Sequence, residues 1–221
     1  MENTNTRNDI YSFIQEYLSK IENPTIFELG CHLGEDTPNI IHLCQGNIDY
    51  YAFEPVPDNI SHISESLVVP DKVNFNLEKY AISDITGKCS LYISGGTHNN
   101  GLKNTMASSI RKPKNVLTVF PFIEFNEQIE VDSITIDDFC CDRNISKIDF
   151  IWCDIQGCEY DMIVGSKNML PNIGLMLLEY SNIELYEGEK GLDDILNLLG
   201  EDWELVVKTK EDILVKNKKW H

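Results

Sequence analysis

The sequence is short of positive charge: 18 Lys and Arg stand against 36 Asp and Glu, a formal charge of −18. Apart from the short lysine-rich tail at 216–219 there is no basic cluster, so nucleic acid is excluded as the expected partner. No apolar run approaches the roughly 20 residues that a membrane span requires. The opening residues M-E-N-T-N-T-R-N-D lack an apolar signal core, so a soluble, cytoplasmic protein is expected. Cysteine has no pairing pattern. The seven form no C-x-x-C, which argues against a disulfide framework and against a zinc ribbon. Cys31, Cys44, Cys89, Cys153 and Cys158 read as reduced small hydrophobes, and the neighbours Cys140 and Cys141 acquire no role. The G-x-G-x-x-G turn of NAD-binding folds is also missing. Tyr17 and Tyr180 have Ile21 and Glu184 four residues on, so neither supplies the Tyr-x-x-x-Lys pair of a sugar oxidoreductase or epimerase.

What is present is enough for one domain: 221 residues, 42% hydrophobic. Residues 26–34, I-F-E-L-G-C-H-L-G, run from an apolar β-type stretch into a turn punctuated by Gly30 and Gly34. Thr37 and Pro38 then suit the start of a helix. In an open parallel sheet such a turn lies at the carboxyl edge, where glycine lets the backbone approach a ligand. With His32 where a middle glycine would fall, a ligand without a pyrophosphate fits better.

Helical spacing of Ile10, Phe13, Ile14, Tyr17, Leu18 and Ile21 predicts a helix over 9–21, within an N-terminal segment 1–24. Strands are expected at 49–54 and 73–77, with a helix from Pro57 to about Leu67 between them. Further strands are expected at 127–133, 148–153 and 173–179, a helix start at Thr135, helices over 157–164 and 192–199, and a closing strand pair at 203–207 and 213–215. This order predicts an α/β fold with a mostly parallel, doubly wound sheet and a terminal antiparallel pair. Residues 94–125, rich in Gly, Asn, Thr and Ser at first and apolar later, read as a substrate loop or lid.

Four acids close candidate core strands: Glu28, Glu54, Asp154 and Glu179. Strand ends are where open α/β sheets bind ligands. Glu54, 20 residues beyond Gly34, suits the two hydroxyls of a ribose, while Glu28 either meets a ligand amino group or braces the turn.

The segments F-E-L-G-C-H-L-G, A-F-E-P-V-P-D-N, S-I-T-I-D-D-F, F-I-W-C-D-I-Q-G-C-E and M-L-L-E-Y together resemble the FkbM-type family of S-adenosylmethionine-dependent methyltransferases. The resemblance runs over about 25–180 and departs from the family pattern at Glu28, commonly Asp there, and at His32, commonly Asn. It implies a Rossmann-like class I methyltransferase fold and an O-methyltransferase acting on a sugar or glycan hydroxyl. By the same resemblance Gly30, His32 and Gly34 hold the methionine part of the cofactor, Glu54 its ribose, and Ala81 and Ile82 its adenine. Ser108 and Ser109 match a serine pair of the family and, with Gln156 and Tyr180, are assigned to the substrate.

A sugar hydroxyl is a weak nucleophile, so a base or a hard cation is expected to help. Asp154 is the first candidate base, with Glu159 and Glu179 as partners, and Asp154 and Glu179 are candidate ligands for Mg²⁺. Asp154 serves equally well as a contact to the cofactor's amino group. His98 is a second candidate base, and Trp152, Tyr180 and Tyr186 are candidate stacking faces for a sugar ring. Two other readings stay open: an NAD-dependent oxidoreductase or epimerase, and a non-catalytic cofactor-binding domain associated with a larger glycan-building protein or a glycosyltransferase.

Overall fold

The computed structural model describes residues 6–96 and 104–220. His98 lies outside the described residues. The chain begins with α1 (Arg7–Leu18), which buries Ile10, Ile14 and Leu18 along one stripe, each worth about 2 kcal/mol when removed from water. It is followed by β1 (Thr25–Leu29), α2 (Thr37–Leu43), β2 (Ile48–Phe53), α3 (Pro57–Ser66) and β3 (Val73–Glu78). The middle of the chain gives β4 (Ala81–Ile82), β5 (Gly87–Gly95), α4 (Val116–Val119), β6 (Glu124–Ile134) and α5 (Ile136–Arg143). Then come β7 (Ile148–Cys153), α6 (Glu159–Val164), β8 (Ile173–Glu179), α7 (Leu192–Leu199), β9 (Trp203–Lys208) and β10 (Asp212–Asn217).

Seven strands form the main sheet in the order β3-β2-β1-β7-β8-β10-β9. The first five lie parallel, and β10 runs antiparallel to both β8 and β9, so the expected doubly wound sheet with an antiparallel end is present. β7 is buried at every position, as a central strand covered on both faces must be. Alternate residues divide between two cores. Phe27, Phe53, Ile151 and Met176 face α5, α6 and α7, whereas Ile26, Tyr50, Phe150 and Leu175 face α1 and α2. Chain order reverses between β1 and β7, which makes their carboxyl ends the crevice where a ligand fits.

Two local expectations change. Thr37 is the first helical residue of α2 rather than its cap, which is Asp36, because the Thr37 hydroxyl is turned inward onto Glu28. Residues 81–134 also contribute a separate three-stranded sheet, β4-β6-β5, in which β5 and β6 form a long antiparallel pair from Gly87↔Ser133 to Gly95↔Glu124. Thr135 does cap α5, accepting a hydrogen bond from the Asp138 N–H at 3.0 Å, and left-handed Asn144 ends that helix. Among the described residues no helix is long and apolar enough to cross a membrane.

Candidate active site

The turn after β1 is held against its neighbours by backbone bonds: Gly30 and Cys31 N–H both donate to the Phe53 carbonyl at 3.0 Å. Gly30 has φ +82°, and a Cβ on it would lie 1.9 Å from the Asp154 carbonyl oxygen, so only glycine fits between β1 and β7. Beneath the turn, Glu28 is 1% exposed and accepts the hydroxyls of Thr37 at 2.6 Å and Tyr50 at 2.7 Å. Burial pushes Glu28 up to about 8, with the two hydroxyls pulling the other way. Of the two roles open to Glu28, this is the bracing geometry: its carboxyl joins β1, β2 and α2 and does not line the cleft.

The cleft is lined on one side by Gly30, His32, Glu54, Ala81 and Ile82, and on the other by Asp154, Gln156, Ser108 and Ser109. Glu54 caps the start of α3 from the end of β2. Its Oε1 accepts from Val56 N–H at 2.8 Å and Asn59 Nδ2 at 3.2 Å, and its Oε2 accepts from His32 N–H at 2.9 Å. A carboxylate has about four acceptor directions, so three are filled and one is left for a ligand hydroxyl. That is one bond where the sequence suggests two. Burial holds Glu54 up at about 7, against the pull of these donors.

Residues 104–113 close over both halves of the cleft. Thr105 Oγ1 donates to Asn59 Oδ1 at 2.8 Å and lies 2.9 Å from His32 Nε2, while His32 Nδ1 lies 2.9 Å from Glu35. Ser109 Oγ donates to the Gln156 carbonyl at 2.8 Å, and Arg111 binds Asp161 of α6 through both carboxylate oxygens at 2.7 and 2.8 Å. The Ser108 hydroxyl is spent within the segment, donating to the Thr105 carbonyl at 2.7 Å and accepting from Ser94 N–H at 3.0 Å.

At the ends of β7 and β8 two acids meet. Gln156, at left-handed φ +53°, donates from Nε2 to Asp154 Oδ1 at 2.7 Å and to Glu179 Oε2 at 3.2 Å. Burial, the Asp154 charge and a hydrogen bond to Asp154 push Glu179 well up. Glu159, by contrast, is 5% exposed beneath the loop, where Oε1 accepts Ile155 N–H at 3.0 Å; burial pushes it up to about 8. Its carboxyl holds the loop's shape and does not face the cleft.

Several expectations change here. Tyr180 sits in the core with its hydroxyl donating to the Thr209 carbonyl at 2.9 Å, away from the cleft. Trp152 is buried and stacks on Tyr11 at 6.0 Å, and Tyr186 is 1% exposed, so none of the three presents a face to a sugar. Among the described residues no group of three or more His, Cys, Asp or Glu is arranged to hold a metal ion. The Asp154–Glu179 pair also fits Mg²⁺ poorly, since the amide N–H₂ of Gln156 points at both acids. Thr105, Asn59 and Arg111 complete the site without a local sequence signal, although Asn59 follows a legible helix start at Pro57, and Tyr186 joins it through its hydroxyl rather than as a stacking face.

A family model, the methyltransferase FkbM domain, matches residues 28–205. The chain belongs to the FkbM family of S-adenosylmethionine-dependent methyltransferases. A relative from Sinorhizobium fredii (strain NBRC 101917 / NGR234), the 2-O-methyltransferase NoeI, is 33% identical over 201 residues, covering 89% of this chain and 81% of its own. Among solved structures, methyltransferase FkbM from Methylobacillus flagellatus superposes with a TM-score of 0.52 at 14% identity, covering 90% of this chain and 45% of that one. An rRNA methylase from Streptococcus thermophilus gives 0.51 at 11% identity, covering 98% and 99%. A Streptococcus mutans protein solved with S-adenosylhomocysteine gives 0.50 at 12% identity, covering 96% and 98%. These likenesses establish the class I methyltransferase fold. They displace the oxidoreductase reading. The Tyr-x-x-x-Lys spacing does occur at Tyr186 and Lys190, but Tyr186 is buried against Gln156 and the Lys190 Nζ lies over the Tyr160 ring at 6.0 Å.

Proposed function

We propose that the FkbM-family protein transfers the methyl group of S-adenosylmethionine to a hydroxyl oxygen of a sugar or glycan. The observation that carries this reading is Asp154, which lines the cleft beside the Gly30 turn and is joined to Glu179 at the end of β8 by the Gln156 amide. The similarity to a 2-O-methyltransferase supports the choice of oxygen as acceptor.

The bound cofactor supplies a methyl carbon activated by a sulfonium. The chain's own residues bind and orient. Gly30 and His32, which line the cleft, would hold the methionine portion, while Gly34 lies outside the lining with its N–H donating to the Cys31 carbonyl; the remaining acceptor direction of Glu54 would take one ribose hydroxyl, and Ala81 and Ile82 would flank the adenine. The acceptor enters between Asp154 and residues 104–113, with Ser108, Ser109 and the exposed Met106 on its side of the cleft. Asp154 would take the hydroxyl proton as the acceptor oxygen receives the methyl carbon from bound S-adenosylmethionine, whose carbon–sulfur electron pair would remain on sulfur. Burial and the Asp154 charge disfavour the charged form of Glu179, which makes Asp154 the better proton acceptor of the two.

Calorimetric titration with S-adenosylhomocysteine, with NAD as control, tests the cofactor half. The expected result is binding of the first and none of the second. Transfer from methyl-labelled cofactor to nucleotide sugars and short glycans, with and without Mg²⁺, tests the acceptor half. Cofactor binding without transfer to any of them would support the non-catalytic alternative instead.

A further inference from the structure

The Gln156 side chain, assigned from sequence to the substrate, has its polar atoms committed elsewhere. Nε2 reaches both acids, and Oε1 lies 3.0 Å from the Tyr186 hydroxyl. That hydroxyl also lies 2.8 Å from the Ala107 carbonyl, so Tyr186 is anchored by the segment that closes the cleft. An amide has two orientations. The Tyr186 hydroxyl has a single proton for two acceptors, the Ala107 carbonyl and Oε1, and shares it between them; the N–H₂ faces the carboxyls because in the flipped orientation Oε1 would confront Asp154 Oδ1 at the present 2.7 Å, oxygen against oxygen.

The backbone fixes the same arrangement. Gln156 holds a left-handed φ, Gly157 follows at φ +90° with Tyr186 and Glu189 side chains 3.1 to 3.3 Å from where a Cβ would stand, and Ser109 grips the Gln156 carbonyl. Strain of this kind persists only where the surroundings enforce it.

We propose that Tyr186 and Gln156 are positioning residues for the reaction: Tyr186 orients the Gln156 amide, and the amide holds Asp154 and Glu179 together so that Asp154 faces the acceptor hydroxyl. This rests on the methyl-transfer reading above. It also gives the closing segment a second task, because Ala107 and Ser109 set the amide only when residues 104–113 are docked.

The charged groups around the pair are Glu159 from α6, Asp212 from β10, Asp36 before α2 and Glu189 from the loop after β8, with the Arg7 guanidinium of α1 acting on Asp36 and Asp212. The strongest influences on Glu179 come from acids, and the Gln156 amide N–H is a neutral counterweight to them. Removing that donor disfavours the charged carboxylate of Glu179 and moves its titration to higher pH.

The test uses the full chain saturated with S-adenosylhomocysteine and follows the side-chain carboxyl carbons by ¹³C NMR across pH. Tyr186→Phe removes only the hydroxyl, and Gln156→Ala removes the amide without touching Tyr186. Both variants are expected to shift the Glu179 titration upward by at least about half a pH unit, with cofactor affinity within about twofold of the parent. Where an acceptor is turned over, kcat should fall about tenfold with KM within about twofold, the scale of one charge-assisted hydrogen bond. An unmoved titration in Gln156→Ala, in a protein that still binds S-adenosylhomocysteine, would overturn the positioning role alone. Failure of the parent itself to bind would instead overturn the methyl-transfer reading beneath it.

Discussion

Gly30 and Asp154 meet at the centre of the sheet's carboxyl edge, where a Cβ on Gly30 would lie 1.9 Å from the Asp154 carbonyl oxygen. The turn proposed to hold the cofactor and the loop that carries the proposed base are thus a single packed unit. Gly34 shares the same φ of +82° but would place a Cβ at an ordinary 3.5 Å from Leu67. Alanine at Gly34 should therefore cost only the left-handed penalty, about 1–2 kcal/mol, whereas at Gly30 it adds a backbone clash. Urea unfolding of the two variants should rank Gly30→Ala well below Gly34→Ala. Equal losses would show that β1 and β7 do not meet as described.

Glu28 should behave as a brace. Tyr50→Phe removes one of its two hydroxyl partners inside a fully buried site, at a cost of about 1–3 kcal/mol. Affinity for S-adenosylhomocysteine should change less than about twofold, since neither side chain lines the cleft. A large loss of affinity with intact stability would put Glu28 back among the ligand contacts.

Arg111 and Asp161 form a bidentate pair with each side chain 18% exposed, tying residues 104–113 to α6. Arg111→Ala leaves Asp161 without its partner and should destabilise by about 3 kcal/mol. If the closing segment shapes the acceptor side, KM for the acceptor should rise more than KM for the cofactor. Steady-state kinetics with each substrate varied in turn distinguishes this from a uniform loss.

Stability should fall as pH rises. Glu28, Glu54 and Glu159 are pushed by burial to about 8, 7 and 8 from an ordinary value of 4.5. Their folded forms hold protons that the unfolded chain has lost above about pH 4.5, so the folded state binds more protons between that point and about pH 8. Each contributes stability that is full below the unfolded value and is lost as pH climbs through the folded one. The thermal midpoint without cofactor should therefore decline steadily from pH 5 to pH 8.5, and a rise over that window would contradict the protonated, buried state of these acids.

Much of the fold is legible in the sequence because its central elements are decided locally. Residues 148–153, 173–179 and 192–199 are apolar or amphipathic runs with clear stops, and they coincide with β7, β8 and α7. The second sheet is legible only in part: the strand expected at 127–133 lies inside β6, but its pairing with β5 is not marked. β5 and β6 are joined across a long intervening segment, and many of their residues are exposed, so hydrophobic periodicity carries little of their pairing. In the site, the rim positions of Glu54 and Asp154 follow from strand ends, which the sequence marks. The commitments of Gln156, Thr105 and Tyr186 do not follow from it, because they are created when residues 104–113 dock across the cleft. Tyr180 shows the converse: an aromatic after a strand end whose burial against β10 is settled by tertiary packing alone.

The most direct test of the central claim is to follow [methyl-¹³C]S-adenosylmethionine with the parent and with Asp154→Asn against nucleotide sugars and short glycans. The account predicts a labelled methyl ether on a sugar hydroxyl with the parent. Asp154→Asn should bind S-adenosylhomocysteine as tightly but transfer at least about a hundredfold more slowly, the lower range for loss of a general base. Label arriving on nitrogen or carbon, or an Asp154→Asn variant as fast as the parent, would contradict it.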